Sequence, residues 1–350
     1  MSEAAPLSGS GAPIEICGTC IQPGTRATID LPVANLYTHT SLAMPVQVVH
    51  GRRPGPVLFV SAAVHGDEIC GVEIIRRLLK RKSLTRIRGT LIAVPVVNVH
   101  GFLDQSRYLP DRRDLNRSFP GSSKGSLAAR LAHVFAKEIV SNSDFGIDLH
   151  TGAVHRSNLP QIRANLSDQQ TLDLAMAFGT PILIDSDLRD GSLREYAASH
   201  GIPMLLYETG EALRFDETGI RAGIRGIFNV MRTIGMLSAS KNPGRRMEPM
   251  VAHNTSWVRA SRSGMVNFAV RLGQRVDDGE VLAVICDPFG ETESPICSPF
   301  RGVIIGRSNL PLAHEGDALI HVAAMDSAKA AAVLVEQFQS HHGQNPPDPA

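Results

Sequence analysis

Hydrophobic and polar positions follow two different periods along the first two thirds of the chain. Short apolar runs bounded by Gly, Pro and Asp are typical of buried strands, whereas apolar residues three and four positions apart indicate amphipathic helices. The predicted strands cover about residues 26–33, 45–50, 57–63, 89–97, 145–149, 181–184 and 202–207. Helical spacing begins near residue 69 and at residue 126, and it recurs over 172–178, 193–200 and 217–237. Strands that alternate with helices predict an α/β sheet, largely parallel and covered by helices on both faces.

The pattern changes at Ser238–Pro249, which we interpret as a domain linker. Short β segments separated by Gly and Asp turns follow it. They form an internal repeat, because the glycines that begin each half (Gly264 and Gly302) and those in a later turn recur at offsets of 38 and 37 residues. This pattern resembles a barrel-sandwich hybrid, the shape of biotinyl and lipoyl carrier domains. The hairpin between the halves, about residues 287–292, contains no lysine, so we expect a covering or oligomerising role instead of a carrier role.

Length and composition are typical of a soluble globular protein with more than one domain. The chain has 350 residues, which is longer than a single hydrophobic core usually supports. It is 43% hydrophobic and 20% charged. A net charge of +1 gives no electrostatic reason to expect nucleic-acid or membrane binding. The first residues do not form a signal peptide, and no apolar run reaches the roughly 18 residues of a membrane span. Five cysteines are an odd and sparse set, which favours a reducing cytoplasm.

These changes of pattern predict four segments. They are a disordered N-terminus over residues 1–13, an α/β domain over 14–240, the β unit over 246–325 and a helical or disordered tail over 326–350. The first segment is rich in Ser, Gly, Ala and Pro, a composition that buries too little apolar surface to become ordered.

Two of the predicted strands end in residues that can bind a metal ion. His65 and Glu68 follow the strand at 57–63, where helical spacing begins, and His150 follows the strand at 145–149. Functional groups in parallel α/β sheets gather at the carboxyl ends of strands. Zinc binds such a set of nitrogen and oxygen ligands, and a catalytic zinc site keeps three protein ligands and one open position. The alternative is structural: His65 is a turn residue, and Glu68 is a solvated acid favoured by the helix dipole.

A charged, aperiodic stretch, Arg107–Gly121, lies between these candidate ligands. It contains four arginines within eleven residues, with acids between them and a Pro-Gly end, so it is predicted to be a loop. A guanidinium can hold a carboxylate through two hydrogen bonds, and near a metal it can stabilise an oxyanion. The alternative is a solvated loop whose Asp and Arg side chains pair with each other.

Glu208 ends the predicted strand at 202–207, so its carboxylate is expected at the same sheet edge as the two histidines. A partly desolvated glutamate there can act as the base that a metal-bound water requires. Glu211 is the second candidate and is expected to be an exposed loop acid. Arg194 precedes this strand and could reach a substrate anion, although its position also suits an ordinary helix-face arginine.

Four motifs occur in one order: G-D-E after His65, D-L-N-R at Asp114–Arg117, D-L-H at Asp148–His150 and E-x-G at Glu208–Gly210. Together they resemble the succinylglutamate desuccinylase/aspartoacylase family, a branch of the zinc carboxypeptidase superfamily. The match covers roughly residues 42–325. The resemblance implies a zinc-carboxypeptidase-like mixed, largely parallel sheet flanked by helices. It also implies that residues 14–240 form a zinc hydrolase catalytic domain with one zinc ion per chain.

The resemblance further implies a role for each candidate residue. The implied roles are zinc binding by His65, Glu68 and His150, general-base catalysis by Glu208, and binding of the substrate's anionic end by Asn116 and Arg117. Arg107 matches the arginine that polarises the carbonyl, although two extra residues before D-L-N-R leave Arg112 and Arg113 as rivals. Arg194 matches an arginine that binds the substrate carboxylate. Aspartoacylase has a substrate-binding tyrosine in its C-terminal domain, but no tyrosine lies beyond residue 245 here, which argues against N-acetylaspartate as substrate.

These observations predict a zinc-dependent amidohydrolase that acts on an N-acyl amino acid or a similar small amide. The alternatives are a carboxypeptidase-like exopeptidase acting on acidic peptide tails and a metal-binding module without activity. The presence of all three ligand candidates and of the base argues against the second alternative. The expected partner is a small-molecule substrate, with no nucleic acid and no membrane, and a homo-oligomer is left open.

Overall fold

The computed structural model describes residues 11–239, 248–325 and 327–343. Its strands are β1 (Ile14–Ile16), β2 (Thr19–Ile21), β3 (Arg26–Asn35), β4 (Ser41–His50), β5 (Arg53–Ala62), β6 (Arg88–Val94), β7 (Phe145–Gly152), β8 (Arg156–Ala164), β9 (Ile182–Asp185), β10 (Met204–Glu211), β11 (Met250–Ala252), β12 (Thr255–Arg259), β13 (Gly264–Phe268), β14 (Arg275–Val276), β15 (Val281–Cys286), β16 (Glu293–Cys297), β17 (Gly302–Ser308), β18 (Leu312–Ala313) and β19 (Ala318–Ala324). Its α-helices are α1 (Cys70–Leu79), α2 (Val99–Leu103), α3 (Leu127–Glu138), α4 (Gln169–Phe178), α5 (Leu193–Ser199), α6 (Glu217–Thr233) and α7 (Ala328–Gly343).

One large mixed sheet of 13 strands runs through the molecule. Its main path has the order β12-β19-β17-β8-β10-β7-β5-β6-β4-β3. Pairing is parallel between β5 and its neighbours β6 and β7, between β7 and β10, and where β9 meets β8 and β11. The remaining pairs of this sheet are antiparallel. The predicted α/β fold with a mixed sheet is confirmed. Its antiparallel share exceeds the prediction because β3 and β4 at one end of the sheet, and β8 with the C-terminal strands at the other end, pair antiparallel.

Helices cover both faces of the central strands, which explains why the sequence of β5 is almost continuously apolar. Leu58, Val60 and Ala62 pack on one face with α1, α4 and α6, whereas Val57 and Phe59 pack on the other face with α3 and α5. Successive strand residues point to opposite faces, so a strand buried on both sides needs apolar residues at almost every position. The strands that carry the candidate site are therefore anchored in two cores.

The C-terminal region consists of antiparallel β structure. Strands β17, β19 and β12 extend the large sheet, and β16, β15, β13 and β18 form a separate four-stranded sheet. An apolar cluster that includes Val266, Leu282 and Ile320 lies between the two sheets. The hairpin between β15 and β16 occupies the predicted position around residues 287–292.

The predicted linker and both predicted terminal segments fall partly outside the described residues, which omit 1–10, 240–247, 326 and 344–350. Within this predicted tail, α7 packs on the molecule through Phe338 and Val335, which are both buried. None of the helices in the described part of the chain is long and apolar enough to cross a membrane.

The hydrophobic pattern does not predict strand β8, although it lies near the middle of the sheet. Its sequence, R-S-N-L-P-Q-I-R-A, contains few apolar residues and a central proline, Pro160, which a sequence analysis assigns to edges or loops. A bulge explains how the strand is accommodated: Glu208 pairs with Gln161, but Gly210 pairs with Asn158, so β8 has one extra residue in between.

The C-terminal region covers an apolar surface of the rest of the molecule. Leu159, Ile182 and Ile184 pack against residues of β17, β19 and α7 in one cluster. We therefore expect a chain that ends at Ala239 to expose this cluster, along with the edge of β8 that pairs with β17, and so to aggregate. Size-exclusion chromatography and thermal unfolding, with residues 11–343 as the control, test this. A monomeric truncated chain with an unchanged Tm would contradict it.

Candidate active site

The candidate metal ligands converge at the carboxyl edge of the sheet. Strand β5 pairs in parallel with β7, and Ala62 lies opposite Leu149, so the segments that follow both strands emerge side by side. The imidazole rings of His65 and His150 are 5.0 Å apart between centroids. Gly66 keeps the turn in place, because a Cβ atom there would lie 1.9 Å from the carbonyl carbon of Gly101. Parallel register and a close backbone contact therefore bring these groups together.

His65, Glu68 and His150 form a buried cluster whose potential ligand atoms all lie within 4.8 Å of one another. His65 Nδ1 is 2.7 Å from Glu68 Oε1, and His150 Nδ1 is 2.8 Å from Glu68 Oε2. The exposed fractions of the three residues are 4%, 2% and 4%. Two imidazole nitrogens that face one carboxylate in a buried pocket fit a metal site.

A further carboxylate faces the second ring nitrogen of each histidine. His150 Nε2 is 2.6 Å from Asp148 Oδ2, and Ser61 Oγ donates to the other oxygen of Asp148 at 2.7 Å. His65 Nε2 lies 3.3 Å from Asp114 Oδ1. A neutral His150 would thus carry its proton on Nε2 and keep the Nδ1 lone pair for a metal ion, as ligating histidines commonly do.

The electrostatics of the cluster favour a positive charge at its centre. Burial lowers the pKa of His150, but Asp148 and Glu68 outweigh burial and raise this pKa well above its usual value. Burial raises the pKa of Glu68, yet the two histidines bring it well below its usual range. The pKa of His65 is also raised, because Glu68 and Asp114 outweigh the effect of burial. A cation replacing the histidine protons would be stabilised by the same carboxylates.

Arg107 is the arginine of the charged loop that lies at the cluster. Its Nη1 is 3.2 Å from His65 Nδ1 and 3.4 Å from Glu68 Oε1, and its Nη2 donates to Asp114 Oδ2 at 2.9 Å. The rival Arg113 is mostly exposed and faces Asp111 at 3.8 Å. The guanidinium of Arg107 is thus held next to the candidate ligands by Asp114, the first residue of the D-L-N-R motif.

Asn116 and Arg117 of the charged loop lie beside the start of α5, which carries Arg194, and the hydrogen bonds of the three residues differ. Asn116 Oδ1 accepts from the backbone N–H of Leu193 at 2.9 Å, and Arg117 is exposed and donates to the carbonyl of Asn116. Arg194 is buried and donates to Ser186 and to the carbonyl of Asp187. Burial, together with neighbouring arginines, lowers the pKa of Arg194 to about 10. Of the two arginines, Arg117 has its side chain more accessible to a ligand.

Glu208 lies directly beside the cluster. Strand β10 pairs in parallel with β7, and Glu208 is the register partner of His150, so both side chains point to the same face of the sheet. The carboxylate of Glu208 accepts a hydrogen bond from Asn158 Nδ2 and faces Arg163 Nε at 3.0 Å. Glu211 instead accepts from the backbone N–H of His155. The structure thus places Glu208, more than Glu211, next to the candidate ligands.

Strand β8 contributes three polar residues that the sequence patterns do not reveal, because the strand itself is not predicted. Asn158, Gln161 and Arg163 share the face of Glu208, since the bulge brings Asn158 onto the same side as Gln161. Gln161 is fully buried, and neither of its side-chain polar atoms has a hydrogen-bond partner. No sequence pattern relates these residues to Glu208, because their relation follows from the register of β8 with β10.

Known proteins resemble this chain over most of its length. A family model described as the succinylglutamate desuccinylase/aspartoacylase catalytic domain matches residues 54–234. The N-alpha-acetyl-L-2,4-diaminobutyric acid deacetylase of Halomonas elongata is 27% identical over 281 residues, which are 77% of this chain and 81% of that protein.

Solved structures show the same fold. A succinylglutamate desuccinylase/aspartoacylase from Rhodobacter sphaeroides superposes with a TM-score of 0.77 at 25% identity, covering 86% of this chain and 95% of the other. The product-bound ectoine utilization protein EutE (DoeB) from Ruegeria pomeroyi gives a TM-score of 0.77 at 24% identity, with the same coverage. Since the family model spans more than half of the sequence and includes the cluster, the chain belongs to the succinylglutamate desuccinylase/aspartoacylase family.

Proposed function

We propose that the protein is a zinc-dependent deacylase that hydrolyses the amide bond of an N-acyl amino acid. The observation that carries this proposal is the buried His65-Glu68-His150 cluster with Glu208 in register beside it. The relative from Halomonas elongata is named as a deacetylase of N-acetylated diaminobutyric acid, which supports an acylated amino acid as the substrate class. Family membership supports amide hydrolysis.

The residues of the cluster would hold the metal ion through Nδ1 of both histidines and the carboxylate of Glu68. A zinc ion bound there would lower the pKa of a bound water towards ~7 and polarise a carbonyl oxygen. Asp148 and Asp114 would keep the two imidazoles oriented.

The remaining groups would act on the substrate and on protons. Glu208 would take a proton from the attacking water and give it to the leaving amine. Arg107 would donate to the oxyanion that develops on the acyl carbonyl, since its guanidinium is already fixed beside the cluster. Asn116 and Arg117 would bind the anionic end of the substrate, and Arg194 would support that region through its bonds to residues 186 and 187.

We further propose that residues 14–240 act as the catalytic domain and 246–325 as a β unit that completes it, and that the enzyme works in the cytoplasm. A screen of the zinc-loaded protein against N-acyl amino acids and short acidic peptides tests the proposed substrate class. Release of a free amino acid from N-acyl amino acids, with no cleavage of the peptides, is the expected result. Preferential peptide cleavage would instead identify an exopeptidase.

His150→Ala should abolish stoichiometric zinc binding, because it removes one of three protein ligands. Asp148→Asn should keep the ligand but weaken zinc affinity about 10–100-fold, since it disturbs the partner of His150 Nε2. Elemental analysis and competition with a chelator measure both effects. His50→Ala, a buried histidine whose Nδ1 contacts Thr90, serves as the control and should retain about one zinc per chain. Full occupancy in His150→Ala would show that the ligand assignment is wrong.

Glu208→Gln should lower kcat by at least about a hundredfold, because the amide keeps the shape of the side chain but cannot take a proton. Zinc content should stay unchanged, and KM should change little. Glu211→Gln is the matched control and should keep most of the activity. A near-normal kcat in Glu208→Gln would show that another residue is the base, and loss of zinc in that variant would show that Glu208 is a ligand.

Arg117 and Arg194 should respond differently to substitution. Arg117→Ala should raise KM without changing Tm, because this exposed side chain would bind substrate, and Arg117→Lys should restore affinity only in part. Arg194→Met should lower Tm, because it removes a buried guanidinium that donates to the carbonyl groups of Ser186 and Asp187. Steady-state kinetics and thermal unfolding separate the two cases. A raised Tm in Arg194→Met, or an unchanged KM in Arg117→Ala, would contradict these roles.

A further inference from the structure

One row of register partners connects the candidate active site to the C-terminal β structure. Gly210 of β10 pairs with Asn158, Asn158 with Gly306, Gly306 with His321, and His321 with Trp257. The row crosses five strands, and its members share one face of the sheet, because directly paired residues point to the same side. This is also the face of Glu208, which lies two residues before Gly210 on β10.

Asn158 contacts Glu208 from within this row. Its Nδ2 donates to Glu208 Oε2, whereas Glu208 Oε1 faces Arg163 Nε. Oε2 thus accepts a hydrogen bond from Asn158, while Oε1 has only an ion pair with Arg163, whose Nε lacks hydrogen-bond geometry. The hydrogen bond from Asn158 restricts rotation of the carboxylate about its last bond. The other end of the Asn158 amide, Oδ1, is buried and has no hydrogen-bond partner. The position of Asn158 therefore depends on the packing around it.

Gly306 provides the space that the Asn158 side chain occupies. A Cβ atom at Gly306 would lie 2.9 Å from Asn158 Oδ1, 3.1 Å from His321 Cβ and 3.4 Å from Trp257 Cη2. The nearest of these atoms is the end of a flexible side chain and not backbone, so an alanine can be accommodated if Asn158 moves. The main effect of having glycine at position 306 is therefore to leave room for the side chain of Asn158.

Aromatic stacking packs the far end of the row. The rings of Trp257 and His321 are stacked with centroids 4.6 Å apart and an interplanar angle of 11°. The guanidinium of Arg156, two residues before Asn158 on β8, lies over the indole of Trp257 at 4.5 Å. Burial and the nearby Arg163 and Arg156 lower the pKa of His321 to about 3, so this ring is neutral and well suited to stacking within the row.

We infer that Asn158 is a positioning residue for Glu208, and that the C-terminal β structure sets its position through Gly306 and the stacked His321. The inference rests on the proposed function in so far as Glu208 is the base. A catalytic group displaced by about 1 Å can lose on the order of a hundredfold in rate. The C-terminal region would then contribute to catalysis without contacting the substrate.

A double-mutant cycle tests this inference with the variants Gly306→Ala, Asn158→Ala and the combination of both, in the full zinc-loaded chain. Asn158→Ala should lower kcat about 10–100-fold and leave KM within about twofold, because the orientation of the base, not substrate binding, is lost. Gly306→Ala should lower kcat about tenfold. The double variant should be no slower than Asn158→Ala, since the added methyl group acts only by displacing Asn158.

Gly343→Ala is the matched control, because nothing lies within 4 Å of a Cβ atom at that glycine, and its kcat and Tm should equal those of the wild type. The same double-mutant cycle can be measured through the free energy of unfolding of each variant, which does not require an active enzyme. Gly306→Ala should destabilise the wild-type protein more than the Asn158→Ala protein, because the closest contact of the new Cβ is then absent.

The outcomes separate failure of this inference from failure of the proposed function. Full kcat in Asn158→Ala, additive losses of kcat in the double variant, or a loss confined to KM would each overturn the inference while the wild type remains an active deacylase. A wild type that hydrolyses no N-acyl amino acid would overturn the proposed function. The cycle measured by unfolding then tests the contact between positions 306 and 158 without any activity. Coupling between the two substitutions supports this contact, and additive free energies of unfolding refute it.

Discussion

The site depends on one constraint, which is the parallel register of three neighbouring strands. Strands β5, β7 and β10 pair in parallel, so the ends that carry His65, His150 and Glu208 lie at one edge. Both faces of β5 are packed by helices, and a slip of one residue would turn every side chain of a strand to the opposite face. The hydrophobic cores therefore fix the register, and the register in turn fixes the distances between groups that are far apart in the sequence.

The same constraint explains which parts of the site could be predicted from the sequence. His65, His150 and Glu208 each end a short apolar run, and the carboxyl ends of parallel strands are where functional groups gather. The family motifs then assigned roles to these positions. Arg107 could be selected from the sequence only together with its rivals, because the charged loop has no period. The structure distinguishes Arg107 from its rivals through Asp114, whose carboxylate accepts a hydrogen bond from Arg107 Nη2 at 2.9 Å.

The residues that the sequence analysis missed have a physical reason in common: they all lie on β8. Pro160 and the polar side chains around it conceal a strand that pairs on both sides, and a bulge places Asn158 and Gln161 on one face although they are three residues apart. A period of two assigns them to opposite faces. The C-terminal extension of the sheet was missed for a related reason, since a repeat pattern shows a β unit but not the strand beside which it docks.

Several buried polar atoms without hydrogen-bond partners lie on the sheet face that also carries Glu208. Among the described residues such atoms occur on Asn158, Gln161 and His321, which share the face of Glu208, and also on His65, Asp67, His100, Arg163 and Arg307. The atoms of His65 and Arg163 have a carboxylate oxygen within 3.3 Å but no hydrogen-bond geometry to it. Each unmade bond of this kind costs about 1–3 kcal/mol. Apolar side chains of similar volume would avoid that cost, so folding alone gives no reason to place an amide at Gln161. Sites where local structure conflicts with stability are expected to be functional ones. Under the proposed function, the polar face shared by β8 and the C-terminal strands would belong to the catalytic apparatus, and it would join two regions that the sequence pattern separates at residue 238.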